Sequence, residues 1–310
     1  AILKVRSGLI KYFKKNRPDI YIGVDAPDFN LPVEKKLKKL GVKTIHYVSP
    51  SVWAWREGRM KTIKKATDAV LAILPFEEAF YKKYNHRAAF VGHPLANKIS
   101  LNPDTEAAKS KLSLNLEKIS IAILPGSRAQ EVERLLEPFL RAAIICQKSY
   151  SEALQFIIPV AKPSLQSEVE KLKPLLNQLD VKVVQGNSHV VLEAANFVFL
   201  ASGTAALEAM LYKKPMVMAY KLGSVNFLIG RLFIKIRRFS LPNILADDDL
   251  IPELIQDAAT PEALAREMML LITQKEKREE MVAKFYDLHG LLRCDSDEAA
   301  FQVVKGLLNS

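Results

Sequence analysis

The chain has 310 residues, 49% hydrophobic and 25% charged, which is enough for two domains with separate cores. Lys and Arg number 45 against 34 Asp and Glu, a net charge of +11 that points to an anionic partner: nucleic acid, a membrane surface or a phosphorylated substrate. No nucleic-acid motif is present, so no nucleic acid is expected. The apolar run 190–207 is broken by Glu193, Asn196 and Gly203, which rules it out as a bilayer span. Cys146 and Cys294 have no metal or redox spacing and fit a reducing cytoplasm, and no signal peptide is visible.

The sequence opens at Ala1 without methionine and reads as a piece cut from a longer protein. Ile2, Val5, Leu9, Ile10 and Phe13 fall at helical spacing among basic residues. Strands are then expected at 20–24, 43–48, 69–74 and 89–91, with helices at 34–40, 59–67 and 77–84 between them. A polar stretch at 101–117 marks the link. The alternation restarts with strands at 119–124, 154–160, 181–185, 197–200 and 216–220. Helices are expected at 130–149, 165–177 and 204–212, with a helical turn at 190–195. Strand–helix alternation means parallel sheets covered on both faces. The fold class is therefore α/β, with two Rossmann-like doubly wound domains. The expected limits are 1–115 for the first, 116–287 for the second and 288–310 for a tail returning to a first domain. The region 261–309 reads as helical, broken at Gly290.

Ligands of doubly wound sheets sit on the loops after the strands, and four such loops stand out. In Leu124-Pro125-Gly126-Ser127-Arg128, Gly126 permits close backbone approach, the helix start favours an anion and the Arg128 fork suits a diphosphate. The plain alternative is a strand–turn–helix junction with an exposed Arg. In Ala201-Ser202-Gly203-Thr204-Ala205-Ala206-Leu207-Glu208, Glu208 lies i+4 from Thr204, on the same side, where a carboxylate can take both hydroxyls of a ribose. Ser202 or Thr204 alternatively caps the helix. In Gly23-Val24-Asp25-Ala26-Pro27-Asp28-Phe29-Asn30, Asp25 is the candidate general base, with Asp28 as a cap of the next helix. Two structural turn aspartates are the alternative. In residues 46–56, Trp53 and Trp55 stand two apart, on one face if the segment is extended. That makes either a hydrophobic plug or an acyl-chain or sugar platform. No Gly-x-Gly-x-x-Gly, phosphate-loop or clustered metal motif occurs, which argues against nicotinamide enzymes, NTPases and metal-dependent transferases.

Taken together, the segments 23–30, 46–56, 74–77 (Leu-Pro-Phe-Glu), 91–94 (Val-Gly-His-Pro), 124–128, 201–208 and 240–243 (Ser-Leu-Pro-Asn) resemble the lipid-A-disaccharide synthases, in that family's order. The resemblance implies the glycosyltransferase B fold, two domains facing a cleft. It implies an inverting, metal-independent hexosyltransferase of lipid A and lipopolysaccharide biosynthesis, with no cofactor. The donor is then UDP-2,3-diacylglucosamine, the acceptor 2,3-diacylglucosamine 1-phosphate, and the products a β-1,6-linked disaccharide 1-phosphate and UDP. Asp25 and Arg128 match the family's essential residues. Gly126, Ser127, Ser202, Gly203, Thr204, Glu208 and Asn243 fall at the UDP-sugar, and Trp53, Trp55 and His93 on the acceptor or acyl-chain side or the seam between domains. The family's first strand, glycine-rich loop and helix precede the point where this sequence starts, so the first domain is expected to be incomplete. The basic, apolar segment 225–239 suggests peripheral docking on the inner membrane of a Gram-negative bacterium, against a packed helix with snorkelling bases. A homodimer is left open. The competing readings are a UDP-N-acetylglucosamine epimerase-like enzyme and a catalytically incomplete UDP-sugar-binding fragment.

Overall fold

A computed structural model describes residues 2–55, 57–150, 153–201, 203–223 and 237–309, the Trp55 side chain excepted. Two compact units form. Among the described residues, one comprises those within 2–98 and 291–309, the other those within 99–223 and 237–290.

The first unit is built on four parallel strands in chain order: β1 (Ile20–Val24), β2 (Lys43–Tyr47), β3 (Ala69–Ala72) and β4 (Ala88–Phe90). The helix expected at 34–40 starts earlier and spans Pro27–Lys38, with Pro32 inside it. Pro32 has no N–H for the carbonyl of Asp28, and Arg6 Nη1 donates to that oxygen instead, at 3.1 Å. Val33 and Leu37 on this helix pack with Val42, and Leu9, Ile10 and Phe13 of the first helix, Ile2–Lys15, cover them. The last helix, Ser296–Leu308, contributes Val303 and Leu307 to the core around Ile45, Leu71 and Val91.

The second unit carries six parallel strands: β5 (Ile119–Leu124), β6 (Leu154–Val160), β7 (Val181–Gln185), β8 (Phe197–Ala201), β9 (Met216–Tyr220) and β10 (Glu253–Ile255). Their order in the sheet is β10-β9-β8-β5-β6-β7. All seven residues of β6 and all five of β8 are buried, which is why β8 reads as an unbroken apolar run and β6 as one interrupted only by Gln155.

Three expectations are corrected. The polar 101–117 stretch holds a helix, Thr105–Lys111, that packs within the second unit, where Lys214 Nζ donates to Thr105 Oγ1 at 2.7 Å. The boundary accordingly falls at Lys98–Ile99. Gly290 does not break the tail, because the helix Lys275–Leu292 runs through it. The helix expected at 165–177 is instead three short pieces, the last of them Lys173–Leu176 with Pro174 near its start.

Candidate active site

In the second sheet the chain winds outward from β5 through β6 to β7, then returns to β8 on the other side of β5. Ligand crevices open at such a reversal, beyond the carboxyl ends of the strands. Leu124 pairs with Leu200 across the β5–β8 ladder, so the chain leaves the two strands side by side. A pocket of about 460 Å³ lies there, lined by Gly126, Ser127, Arg128, Gly203, Thr204 and Glu208. Ala161 after β6, and Gly186 and Ser188 after β7, complete its wall.

Gly126 has φ 120°, and a Cβ on it would stand 2.5 Å from the Glu131 Cβ, so the loop lies flat on Glu131. The helix start expected to cradle an anion is already engaged at two amides. The backbone N–H groups of Ser127 and Arg128 donate to Glu131 Oε2, at 3.1 and 3.3 Å. The Arg128 side chain lines the pocket, 80% exposed and reaching Glu131 Oε1 at 2.6 Å. Across the pocket Glu208 is mostly buried. Burial holds its carboxyl above the usual range, opposed only in part by His189, whose Nδ1 lies 3.9 Å from Glu208 Oε2. Glu131 and His189 were missed from sequence. His189 follows β7 in the same strand–loop–helix position that singled out the other loops, and that rule applied to Gly186-Asn187-Ser188-His189 would have found it.

The structure does not bring the Asn243 side chain to this pocket. Asn243 is buried, its amide donating to Ile251 O at 3.0 Å and Glu253 Oε1 at 2.8 Å, while its Oδ1 accepts from Ile251 N–H at 2.8 Å. It pins the 240–251 turn. Ser202 lies outside the described residues.

In the first unit, Asp25 is exposed at the mouth of β1, its N–H bonded to Tyr47 O at 2.8 Å. Asp25 and Ala26 are both left-handed, with φ 50° and 43°. Each such non-glycine residue costs about 1–2 kcal/mol, so the turn persists only because its surroundings hold it. Asp28 does not cap the following helix. The N-cap is Ala26, and the Asp28 carboxylate pairs with Arg59.

Trp53 and Trp55 lie in a helical turn, Val52–Trp55, not in an extended loop. The extended geometry on which a shared face depended is therefore not formed. Trp53 packs edge-on against Phe76 at 4.8 Å, and its indole N–H donates to Glu77 Oε1 at 3.1 Å. Glu77 is 1% exposed, and burial pushes its carboxyl up to about 7 against hydrogen bonds from Ser49, Leu74 and Trp53. Val48, a β-branched residue with φ 72°, marks a second strained turn, where this segment leaves β2. His93 is buried, and burial lowers its pKa to about 4. Its Nδ1 accepts from Leu95 N–H at 3.3 Å, so the neutral ring carries its proton on Nε2. Its backbone N–H donates to Leu292 O at 2.9 Å, and a Cβ on the neighbouring Gly92 would strike Cys294, fixing this corner of the first unit.

Among the described residues no group of three or more His, Cys, Asp or Glu is arranged to hold a metal ion, and no helix is long and apolar enough to cross a membrane.

Two parallel Rossmann-like sheets, the second with a pocket at its switch point, define the plan shared by B-type glycosyltransferases and related nucleotide-sugar enzymes. Solved structures agree on the fold. UDP-GlcNAc 2-epimerase from Neisseria meningitidis bound to UDP-GlcNAc superposes with a TM-score of 0.65 at 11% identity, covering 98% of this chain and 81% of that one. A glycosyltransferase from Rickettsia africae gives 0.59 at 12% identity, covering 99% and 81%. The fold alone therefore does not separate transferase from epimerase; the sequence does. The family described as lipid-A-disaccharide synthetase matches residues 1–304. The lipid-A-disaccharide synthase of Haemophilus ducreyi is 46% identical over 99% of this chain and 80% of its own length. The chain belongs to the lipid-A-disaccharide synthetase family, whose members are glycosyltransferases.

Proposed function

We propose that the chain transfers 2,3-diacylglucosamine from UDP-2,3-diacylglucosamine to the 6-hydroxyl of 2,3-diacylglucosamine 1-phosphate, with inversion and release of UDP. The observation that carries this reading is the convergence of the loops after β5 and β8 on one pocket, with an exposed guanidinium, paired to Glu131, on one wall and the mostly buried Glu208 carboxylate on the other. In this reading Arg128 takes the diphosphate in charge-assisted hydrogen bonds and stabilises the leaving UDP as the glycosidic bond breaks. Gly126, Ser127, Gly203 and Thr204 form the floor that lets the nucleotide approach the backbone. Glu208 accepts from the ribose hydroxyls. Asp25 removes the proton of the acceptor hydroxyl as that oxygen attacks the anomeric carbon. Trp53, held by Glu77, offers an apolar face to an acyl chain or sugar.

The same reading puts the protein on an anionic membrane, where di-acylated substrates reside. The net charge of +11 supports it. So does the first helix, where Ile2, Leu3 and Val5 are 69%, 66% and 63% exposed beside Lys4, Arg6 and Lys11. Of the segment 225–239, residues 225–236 lie outside the described residues. Arg238 is paired with Asp247 and Asp249, at 2.7 and 2.8 Å, which leaves it less available to lipid.

A product assay tests the reading. Donor and acceptor together should give UDP and a β-linked disaccharide, with no UDP released when the acceptor is omitted. Acceptor-independent conversion of UDP-N-acetylglucosamine would instead make the chain an epimerase.

A further inference from the structure

The left-handed turn at Asp25 and Ala26 hangs on one side chain. Asn30, only 7% exposed, directs both amide hydrogens at that turn. Its Nδ2 donates to Val24 O at 3.0 Å and to Asp25 O at 2.7 Å. Its Oδ1 accepts from the Tyr21 hydroxyl at 3.1 Å, which fixes which way round the amide sits. No other residue type of this size donates twice and accepts once in one plane; an aspartate here would face two carbonyl oxygens with its own negative charge. The approach is close enough to require a glycine on β1, since a Cβ on Gly23 would lie 2.9 Å from the Asn30 Cβ and collide with Glu34 Oε1. Strand, turn and helix thus meet at Asn30, while the Asp25 side chain is exposed, with no side-chain hydrogen bond or ion pair to another described residue.

We infer that Asn30 is a positioning residue for the transfer reaction: by tying the carbonyls of Val24 and Asp25 it aims the Asp25 carboxylate at the hydroxyl that it deprotonates. The inference rests on Asp25 being the general base. A base displaced by about 1 Å loses on the order of 10²-fold in rate while substrate binding elsewhere is untouched. The effect therefore falls on kcat and spares KM for the UDP-sugar.

The test is a double-mutant cycle in the disaccharide assay, with Asp25→Asn, Asn30→Ala and both together. Asn30→Ala should lower kcat by about 10- to 100-fold with KM for the donor changed less than about threefold, and the double variant should be no slower than Asp25→Asn alone. Losses that multiply in the double variant overturn the inference, because Asn30 then acts on something other than Asp25. Near-normal kcat for folded Asn30→Ala overturns it as well. Near-normal turnover of Asp25→Asn removes the base assignment, and this inference with it, whereas an inactive Asp25→Asn beside an active Asn30→Ala removes this inference alone. If Asn30→Ala does not fold by circular dichroism, Tyr21→Phe takes its place in the cycle. It frees the amide to turn and should lower kcat about 3- to 10-fold through Asp25; an unchanged kcat overturns the inference.

Discussion

Glu131 holds Arg128 twice: its Oε2 accepts the Arg128 backbone N–H at 3.3 Å and its Oε1 accepts the guanidinium at 2.6 Å. Backbone and side chain of the same residue are thus tied to one carboxylate on the first turn of the helix Ala129–Ser149. The arrangement aims an exposed cation over the pocket. In the proposed reading, a diphosphate would meet a guanidinium whose charge is partly met already and would share Arg128 with Glu131.

The loop's geometry depends on Gly126. Replacing it by Ala puts a side chain at φ 120° and a Cβ 2.5 Å from the Glu131 Cβ. Gly126→Ala should therefore cost about 1–3 kcal/mol of stability, the size of a strained backbone position, and weaken UDP binding as Glu131 shifts. Thermal melts and UDP titration read the two effects. An alanine variant matching the parent in both would show that the loop does not need the glycine.

Glu77 should make stability depend on pH. Burial lifts its carboxyl from 4.5 to about 7, and the groups around it, Trp53 N–H, Leu74 N–H, Ser49 and the neutral Tyr81, bring no positive charge. Between those values the folded protein keeps a proton that the unfolded chain releases. The stabilisation is complete below 4.5 and is lost as pH rises through about 7, roughly 3 kcal/mol in all at 1.36 kcal/mol per pH unit. Glu77→Gln, neutral throughout, should flatten that slope in denaturant melts from pH 4.5 to 7.5. An unchanged slope would place the titration elsewhere.

Membrane docking through the first helix is an electrostatic claim as well as an apolar one. Binding to vesicles containing anionic lipid should fall as salt rises, because exposed charges are screened over about 10 Å at 0.1 M. Changing Lys4, Lys11, Lys14 and Lys15 to Gln should reduce it further. Equal binding to neutral vesicles at all salt concentrations would contradict the claim.

Much of this was legible from the sequence, for physical reasons. Strands buried on both faces, such as β6 and β8, announce themselves as apolar runs, and the loops after β5 and β8 follow from the strand–loop–helix rule. What was not legible depends on partners distant in the chain. Pro32 looks like a helix breaker until Arg6 is found on the carbonyl of Asp28. Strand β10 is three half-buried residues, too short for a period. Asn243 looks like a ligand-facing residue, and only the fold reveals that Ile251 and Glu253 consume its amide. The tryptophan pair shares a face only in an extended segment, whereas the chain turns helical at Val52, shortly after the left-handed Val48.

The central claim, that the pocket at the β5–β8 switch point is a nucleoside diphosphate site with Arg128 on the diphosphate, is tested most directly by calorimetric titration of the parent and Arg128→Ala with UDP and with uridine. UDP affinity should fall by roughly 1.5–3 kcal/mol, the range for a hydrogen bond to a charged group, and uridine affinity should be nearly unchanged. Equal losses for the two ligands, or no loss for UDP, would contradict it.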